Sequence, residues 1–456
     1  MKRIVTLFAV VIFVTSCGNK GGVGGGGSRR GFEAPPENMT LIPRGSFEMG
    51  SNDEDFLWTM NNRLKRITVD QFYMDLTETT NSAYRAFVYW TADSIARRIL
   101  AMADVEDFAK AENEDEEESE DMEEVPLNYR TAIHLSPKQR NYSDHYEPLK
   151  SANFFYSKQE GLGQKRAIDV RKLRYKYKYY DLQQAAKARW EVDDQNPEGH
   201  YVGTVKNQNG EIVEIQDRSS FIIEESVPVY PDTLVWIRDL SYSYNEPHAK
   251  SYFWHPGFDN YPVVGVSWKQ ASAFCHWRSY HAKEKRYRNQ YPSQEYRLPI
   301  EAEYEYAARG GLEGGLYPWG SMYNTNSKGC YLANFKPQRG DYALDGFART
   351  SAVAQYEPNE FGLYDMAGNV AEWVNDAYEE GAYNYTHDLV PTYHQHVTKK
   401  DKASKRRKVV RGGSWKDISY FLQTGARDYN YMDSAHSYIG FRTVKDAAIG
   451  INSRVR

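Results

Sequence analysis

The 456-residue sequence predicts a loop-rich fold that mixes short strands with a few helices and is interrupted by one long charged stretch. Three observations carry this reading. Strand and turn signals open the globular part, and helix-start signals recur further along. From Gly311 onward the chain is short loops, glycine turns and aromatics, without a long helical pattern or repeated strand alternation. Aromatics make up 14% of the residues, with 37 Tyr, 19 Phe and 10 Trp. Rings bury much area at low side-chain entropy cost, which suits irregular backbone anchored by side chains, and suits a sticky surface equally well. The formal net charge of -5 gives no reason to expect nucleic acid or anionic lipid as a partner.

Taken in order, Met1 to Arg3 is a short basic start and Ile4 to Val14 an apolar stretch, too short to span a bilayer but of signal-peptide proportions. Ser16-Cys17 at its end resembles a lipobox, which implies cleavage before Cys17 and lipidation of that residue. Gly18 to Arg30 is glycine-rich and polar, a flexible tether. The resulting parse is a signal peptide at 1–16, a lipidated tether at 17–37, a globular domain at 38–92 plus 245–447, an insertion at 93–244 and a tail at 448–456. No acidic cluster follows Cys17, so the expected location is the periplasmic leaflet of the outer membrane.

Met39 to Gly50 alternates apolar and polar residues and turns on glycine, and Ile67 to Met74 reads as the next strand. Thr80 or Asn81 caps a helix with Tyr84, Phe87 and Val88 on one face. In the insertion, Glu112 to Glu124 is nearly all acidic and reads as solvated chain. Arg171 to Lys178 is basic and tyrosine-rich, a surface for an acidic partner or for the acidic run itself. Asn209-Gly210 between two β-like runs signals a hairpin. Ser267 with Gln270 is a capping-box pattern opening a helix with Ala271, Phe274, Cys275 and Arg278 on one side. A further helix, Glu301 to Arg309, closes on Gly310-Gly311.

The segments IPRGSFEMG (42–50), DLTETTN (75–81), VGVSW (264–268), RLPIEAEYEYAARGG (297–311), YPWG (317–320), GLYDMAGNVAEW (362–373), RGGSW (411–415) and GFR (440–442) occur in this order. Together they resemble the formylglycine-generating-enzyme, or sulfatase-modifying-factor, superfamily. The resemblance implies an α+β, loop-rich fold related to C-type lectin folds, here with a large insertion. Ile300 stands where a capping Thr is usual, an expected loss of about 1 kcal/mol at that helix start. Tyr304 and Ala371 stand where Trp is usual, which implies looser local packing. The resemblance places two copper-binding catalytic cysteines at the positions of Asp417 and Leu422. Without a thiolate pair there is no soft site for cuprous ion, so neither copper nor oxidase activity is expected. Cys275 and Cys330 lie elsewhere and could pair in an oxidising compartment. His394 and His396 form an isolated pair that reads as solvated. No CxxC, His-Glu-x-x-His, Gly-x-Ser-x-Gly or glycine-rich phosphate loop is present.

Two calcium sets carry over from the resemblance, both built of hard oxygens. One is the Asn334 and Asp345 side chains with the carbonyls of Phe335 and Phe347. The other is the Asp365 and Glu372 side chains with the carbonyls of Gly368 and Val370. Against calcium stands the reading that Asp365 and Glu372 accept hydrogen bonds from loop amides. Arg411, Arg427 and Arg442 are expected to be structural forks to carboxylates and carbonyls. The lipobox, the missing cysteines and the stretch from Val229 to Pro256 further resemble the ring lipoproteins of the type IX secretion and gliding-motility machinery, the PorK/GldK family. That likeness implies a non-catalytic subunit that self-associates in a periplasmic ring. Its implied partners are a non-lipidated N-type protein and an outer-membrane β-barrel protein, with Arg171, Arg174, Tyr177 and Lys178 expected at contacts. An enzyme using Asp417 as acid or base, and a calcium-dependent carbohydrate-binding module, are the alternatives.

Overall fold

The computed structural model describes residues 36–447 except 52–62, 106–107, 109–126, 136–137, 140, 158, 161–166, 193–198, 208, 243–244, 287–294, 396 and 399. Cys17 with its tether, the acidic run and the tail therefore lie outside the described residues. In chain order the elements that position the site are β1 (Met39–Ile42), β2 (Gly45–Met49), β3 (Lys65–Val69), β4 (Phe72–Asp75), α1 (Asn81–Met102), β5 (Arg174–Tyr180) and β6 (Ile222–Pro228). They are followed by α2 (Trp268–Arg286), β7 (Tyr296–Arg297), α3 (Glu301–Arg309), β8 (Ala371–Ala377), β9 (Arg407–Arg411), β10 (Asp428–Tyr431), β11 (Ile439–Gly440) and β12 (Val444–Asp446).

One antiparallel sheet runs β1-β4-β12-β7 and sets the start of the domain beside its end, with Met39 opposite Asp75 and Val444 opposite Met74. The second runs β10-β9-β8-β11, its β8-β11 pair parallel. The alternation search gives no strand at 371–377, and the burial of β8 explains why. Six of its seven residues are buried, so both faces are covered and no polar alternation survives.

Thr80 caps α1 as expected, its hydroxyl accepting from the Ala83 amide at 3.3 Å. The helix continues through 93–102, because this part of the insertion has structural partners of its own. Arg97 pairs with Asp93 one turn back and donates to the carbonyls of Asn128 and Thr131 at 2.7 and 2.6 Å. Tyr84 and Phe87 of α1 pack on Phe274 and Trp277 of α2, and the insertion adds Phe108, Leu149, Phe154, Leu173 and Val227 to the same core. Ser267 and Gln270 form the expected reciprocal box at the start of α2. The 204–206 and 212–214 strands flank Asn209-Gly210 as the hairpin signal predicts.

Every residue of α3 is buried, and Gly310 closes it in the left-handed conformation at φ 61°. Its start corrects the sequence expectation. Ile300 offers no side-chain acceptor, but Asp376 of β8 reaches across and takes the Glu301 N–H at 2.6 Å. The Glu303 carboxylate accepts the Ile300 N–H at 3.0 Å. A strand residue thus supplies the missing cap. Looser packing at Tyr304 is not found either. Its ring is buried, and its hydroxyl donates to the Met366 carbonyl at 3.2 Å and lies 3.3 Å from Glu372. Ala371 is buried in the main core.

Burial pushes the Asp376 carboxyl up to about 6, above its ordinary value near 4, despite the amides of Tyr393 and Glu301. The folded state therefore holds this proton at pH values where the unfolded chain has released it. The proton's contribution to stability is full below pH 4 and is lost as pH rises through about 6. Asp376→Asn should remove up to about 3 kcal/mol of this dependence. Paired denaturant melts of the two proteins between pH 4 and 7 measure it.

Candidate functional site

Helix α3 carries Glu301, Glu303 and Glu305 into the interior, and buried carboxylates persist only with partners. Arg427 forks onto Glu301 at 2.6 and 3.0 Å. Arg309 forks onto Glu305 at 2.7 and 3.1 Å and donates to the Gly50 carbonyl at 2.7 Å. Arg411, from β9, bonds Glu305 and the carbonyls of Thr424 and Ala426. Burial alone would push the Glu301 carboxyl up, but Arg427 and Arg411 outweigh it and hold it below the ordinary value. Arg411 and Arg427, both singled out from the sequence, are structural forks.

Next to this lattice stand the positions assigned to the missing cysteines. Leu422 is buried in an apolar cluster with Tyr317, Ala333, Phe335 and Ala367. Asp417 Oδ2 accepts from the Ser414 hydroxyl at 2.6 Å, and burial pushes its carboxyl up. Cys275 is buried in α2, and burial pushes its thiol up; Cys330 is exposed, and the two are not bonded to each other. His394 is exposed, and His396 lies outside the described residues. Among the described residues no group of three or more His, Cys, Asp or Glu could hold a metal ion.

The two predicted oxygen sets meet. Asn334 and Asn369 lie back to back: the Asn369 amide donates to the Asn334 carbonyl at 2.8 Å, and a Cβ on Gly368, at φ 84°, would come within 2.5 Å of that carbonyl. In the first set Asp345 accepts from the amides of Phe335 and Phe347 at 2.8 and 3.2 Å. Asn334 Oδ1 is buried and has no hydrogen-bond partner. An orphaned buried hard oxygen on Asn334, with the Asp345 carboxylate bonded to the next residue's amide, is the donor chemistry calcium takes, so this set fits one by ligand type. The second set is arranged differently. Arg442 forks onto Glu372 with three contacts of 2.7 to 3.0 Å, a cation already in place. Asp365 Oδ2 accepts the Ala354 amide at 2.6 Å, and burial lifts its carboxyl to about 6. Val370 donates its amide to Glu78 at 3.1 Å, and Asn369 donates its side-chain amide to the same carboxylate at 2.8 Å.

Glu78 is the residue sequence reasoning missed. It is fully buried, and burial pushes its carboxyl well above the ordinary value, helped by Asp365 and Glu372. The signal was in the segment DLTETTN, where an acid sits three residues from a helix start without serving as its cap.

Of the predicted contact residues, Arg174, Tyr177 and Lys178 lie on β5, which pairs with β6. Arg171 precedes β5 and bonds Asp169 and Glu160. The structure thus groups these residues far from the oxygen sets in sequence and on a separate ribbon.

Comparison with known proteins agrees with this frame. The sulfatase-modifying factor enzyme 1-like domain matches residues 29–145 and 212–447, and the chain belongs to that family. An inactive C-alpha-formylglycine-generating enzyme 2 of Bos taurus is 34% identical over 193 residues, which are 41% of this chain and 51% of that protein. The formylglycine-generating enzyme of Mus musculus is 35% identical over 193 residues, 41% of this chain and 45% of that protein. The chain thus spans about half the length of these relatives, and the family includes both active and inactive members. The solved structure of PvdO from Pseudomonas aeruginosa aligns with a TM-score of 0.42 at 17% identity, over 90% of this chain and 94% of that one.

Arg442→Met should cost about 3–5 kcal/mol, because it leaves Glu372 buried without its cation. Replacing both partners with apolar residues should recover most of that loss, which chemical denaturation of the single and double variants reads directly.

Proposed function

We propose that this protein is a non-catalytic structural lipoprotein. In this reading it is lipidated at Cys17, anchored in the periplasmic leaflet of the outer membrane, and assembled with copies of itself in the ring of the type IX secretion and gliding machinery. An N-type protein and an outer-membrane β-barrel protein are its partners. One observation carries the non-catalytic part: Leu422 fills with hydrocarbon a position where the resemblance calls for a copper-binding thiolate. Asp417, at the other position, is a hard oxygen donor bonded to Ser414. Neither group binds cuprous ion or carries redox sulfur. An inactive relative within the family supports the same reading.

A calcium ion held by Asn334, Asp345 and the carbonyls of Phe335 and Phe347 would cross-link loops that have few ladder hydrogen bonds. Glu372 serves Arg442 instead, so the first set is the better calcium site of the two. Asp417, raised by burial, favours an enzyme of other chemistry in this cleft.

Purification of the native lipoprotein from membranes should bring down both partners and ring-shaped particles in electron microscopy. Cys17→Ala should release the protein from the membrane fraction. Stoichiometric cuprous ion capture, or oxygen-dependent turnover of a thiol peptide, would overturn the non-catalytic reading. Chelator should lower the melting temperature of the wild type but not of Asp345→Ala; equal melts with and without calcium remove the ion.

A further inference from the structure

Two buried amides decide why the Asn334 oxygen has no partner. Asn334 and Asn369 are each 1% exposed, so their polar atoms have to find partners inside the protein. The oxygen and nitrogen of a side-chain amide are nearly alike in shape, and their partners fix which is which. Here the partners are unambiguous. The Ser351 backbone N–H, which can only donate, lies 2.9 Å from Asn369 Oδ1, and the Ser351 hydroxyl donates to the same atom at 3.3 Å. That end of Asn369 is therefore oxygen. Its nitrogen faces Glu78 and donates to it at 2.8 Å. The main chain holds the residue as well: its N–H donates to the Asn334 carbonyl at 2.8 Å, and its carbonyl accepts from the Trp415 N–H at 2.9 Å. With φ at 58° it sits in the left-handed region, which Asn, Asp and Gly enter most easily.

Asn334 takes its orientation from this fixed neighbour. Its Nδ2 donates to the Arg349 carbonyl at 2.8 Å and to Asn369 Oδ1 at 3.3 Å, two oxygens that can only accept. Turning the amide over would set oxygen against both and lose both bonds. Asn334 Oδ1 is thereby committed to the remaining direction, buried and without a hydrogen-bond partner. An unpaired buried acceptor is costly, and a cation that takes this oxygen offsets the cost.

We infer that Asn369 is a positioning residue of the calcium site, its Oδ1 turning the Asn334 side chain so that the free amide oxygen is offered to the ion. Asn369 does not touch the ion, because its own amide oxygen and nitrogen and its backbone groups are all bonded within the protein. It acts through Asn334, and the order of donors runs from the Ser351 amide to Asn369 Oδ1 and from Asn334 Nδ2 to the same atom. The inference rests on the reading of the first oxygen set as a calcium site and names what holds that set ready.

The test titrates calcium chloride into the full, chelator-stripped lipoprotein in detergent and follows the heat of binding. Thermal melts check that each variant is folded. Asn369→Gly removes the side chain and leaves the left-handed backbone unstrained. It should bind calcium about tenfold more weakly than wild type, as loss of one buried hydrogen bond to the ligand amide implies. Asn369→Asp keeps an oxygen toward the Ser351 N–H and Asn334, so it should bind within about twofold of wild type, although a second acid beside Glu78 lowers its melt. In an Asn334→Ala background, Asn369→Gly should change affinity no further, because the amide it orients is gone. A purely structural Asn369 would lower the melt without moving affinity, or weaken calcium equally in both backgrounds; either result overturns the inference while the calcium reading survives. Should Asn369→Gly not fold, loss of calcium binding by folded Asn369→Asp overturns it instead. A wild type that takes up no calcium removes the ion, and the positioning role with it.

Discussion

Helix α3 cannot be buried until arginines from two other parts of the chain reach it. Two of its buried glutamates, Glu301 and Glu305, are neutralised by Arg411 and Arg427 from more than a hundred residues later and by Arg309 from the helix's own last turn. Stripping water from a carboxylate costs several kcal/mol, and only a geometrically good partner repays it. The helix, the β9 strand and the loop around Arg427 are therefore stable together or not at all. Gly50 joins the same unit, its amide donating to Glu305 at 2.7 Å and its carbonyl accepting from Arg309. In a fold with short strands and long loops, this lattice does the cross-linking that long ladders do elsewhere.

The same rule organises the neighbouring layer. Glu78, Asp365 and Glu372 converge on Arg442, and Asn369 links Glu78 to Asn334 through both ends of its amide. Here carboxylates outnumber cations, and amide donors meet part of the excess. Calcium, where the orphaned Asn334 oxygen awaits a partner, would extend this balance rather than begin it. The buried polar groups cross-link the loops of this layer, and Leu422 packs beside it in an apolar cluster.

Much of this was legible from residue order. The helix caps at Thr80 and Ser267, the glycine closing α3, the Asn209-Gly210 hairpin and the arginine forks all depend on local chemistry that a sequence displays. Other features were hidden for identifiable reasons. β8 is buried on both faces, so its period is erased. The cap on α3 comes from Asp376, seventy-five residues away, and no local pattern announces it. The partners of Glu78, Asn369 and Val370, lie 291 and 292 residues away, so no local pattern shows its role.

The sequence by itself determined which segments form the scaffold, which positions lack sulfur, and which tract carries the positive charge, since these follow from residue identity and short-range spacing. The tertiary structure alone decided what each charge does: that Glu372 belongs to Arg442, that Asp376 caps a helix it does not precede, that Tyr175 and Tyr177 of β5 face inward while its cations face out. A charge's role depends on what desolvates it and what lies within about 3 Å, and both are set by chain segments that only folding brings together.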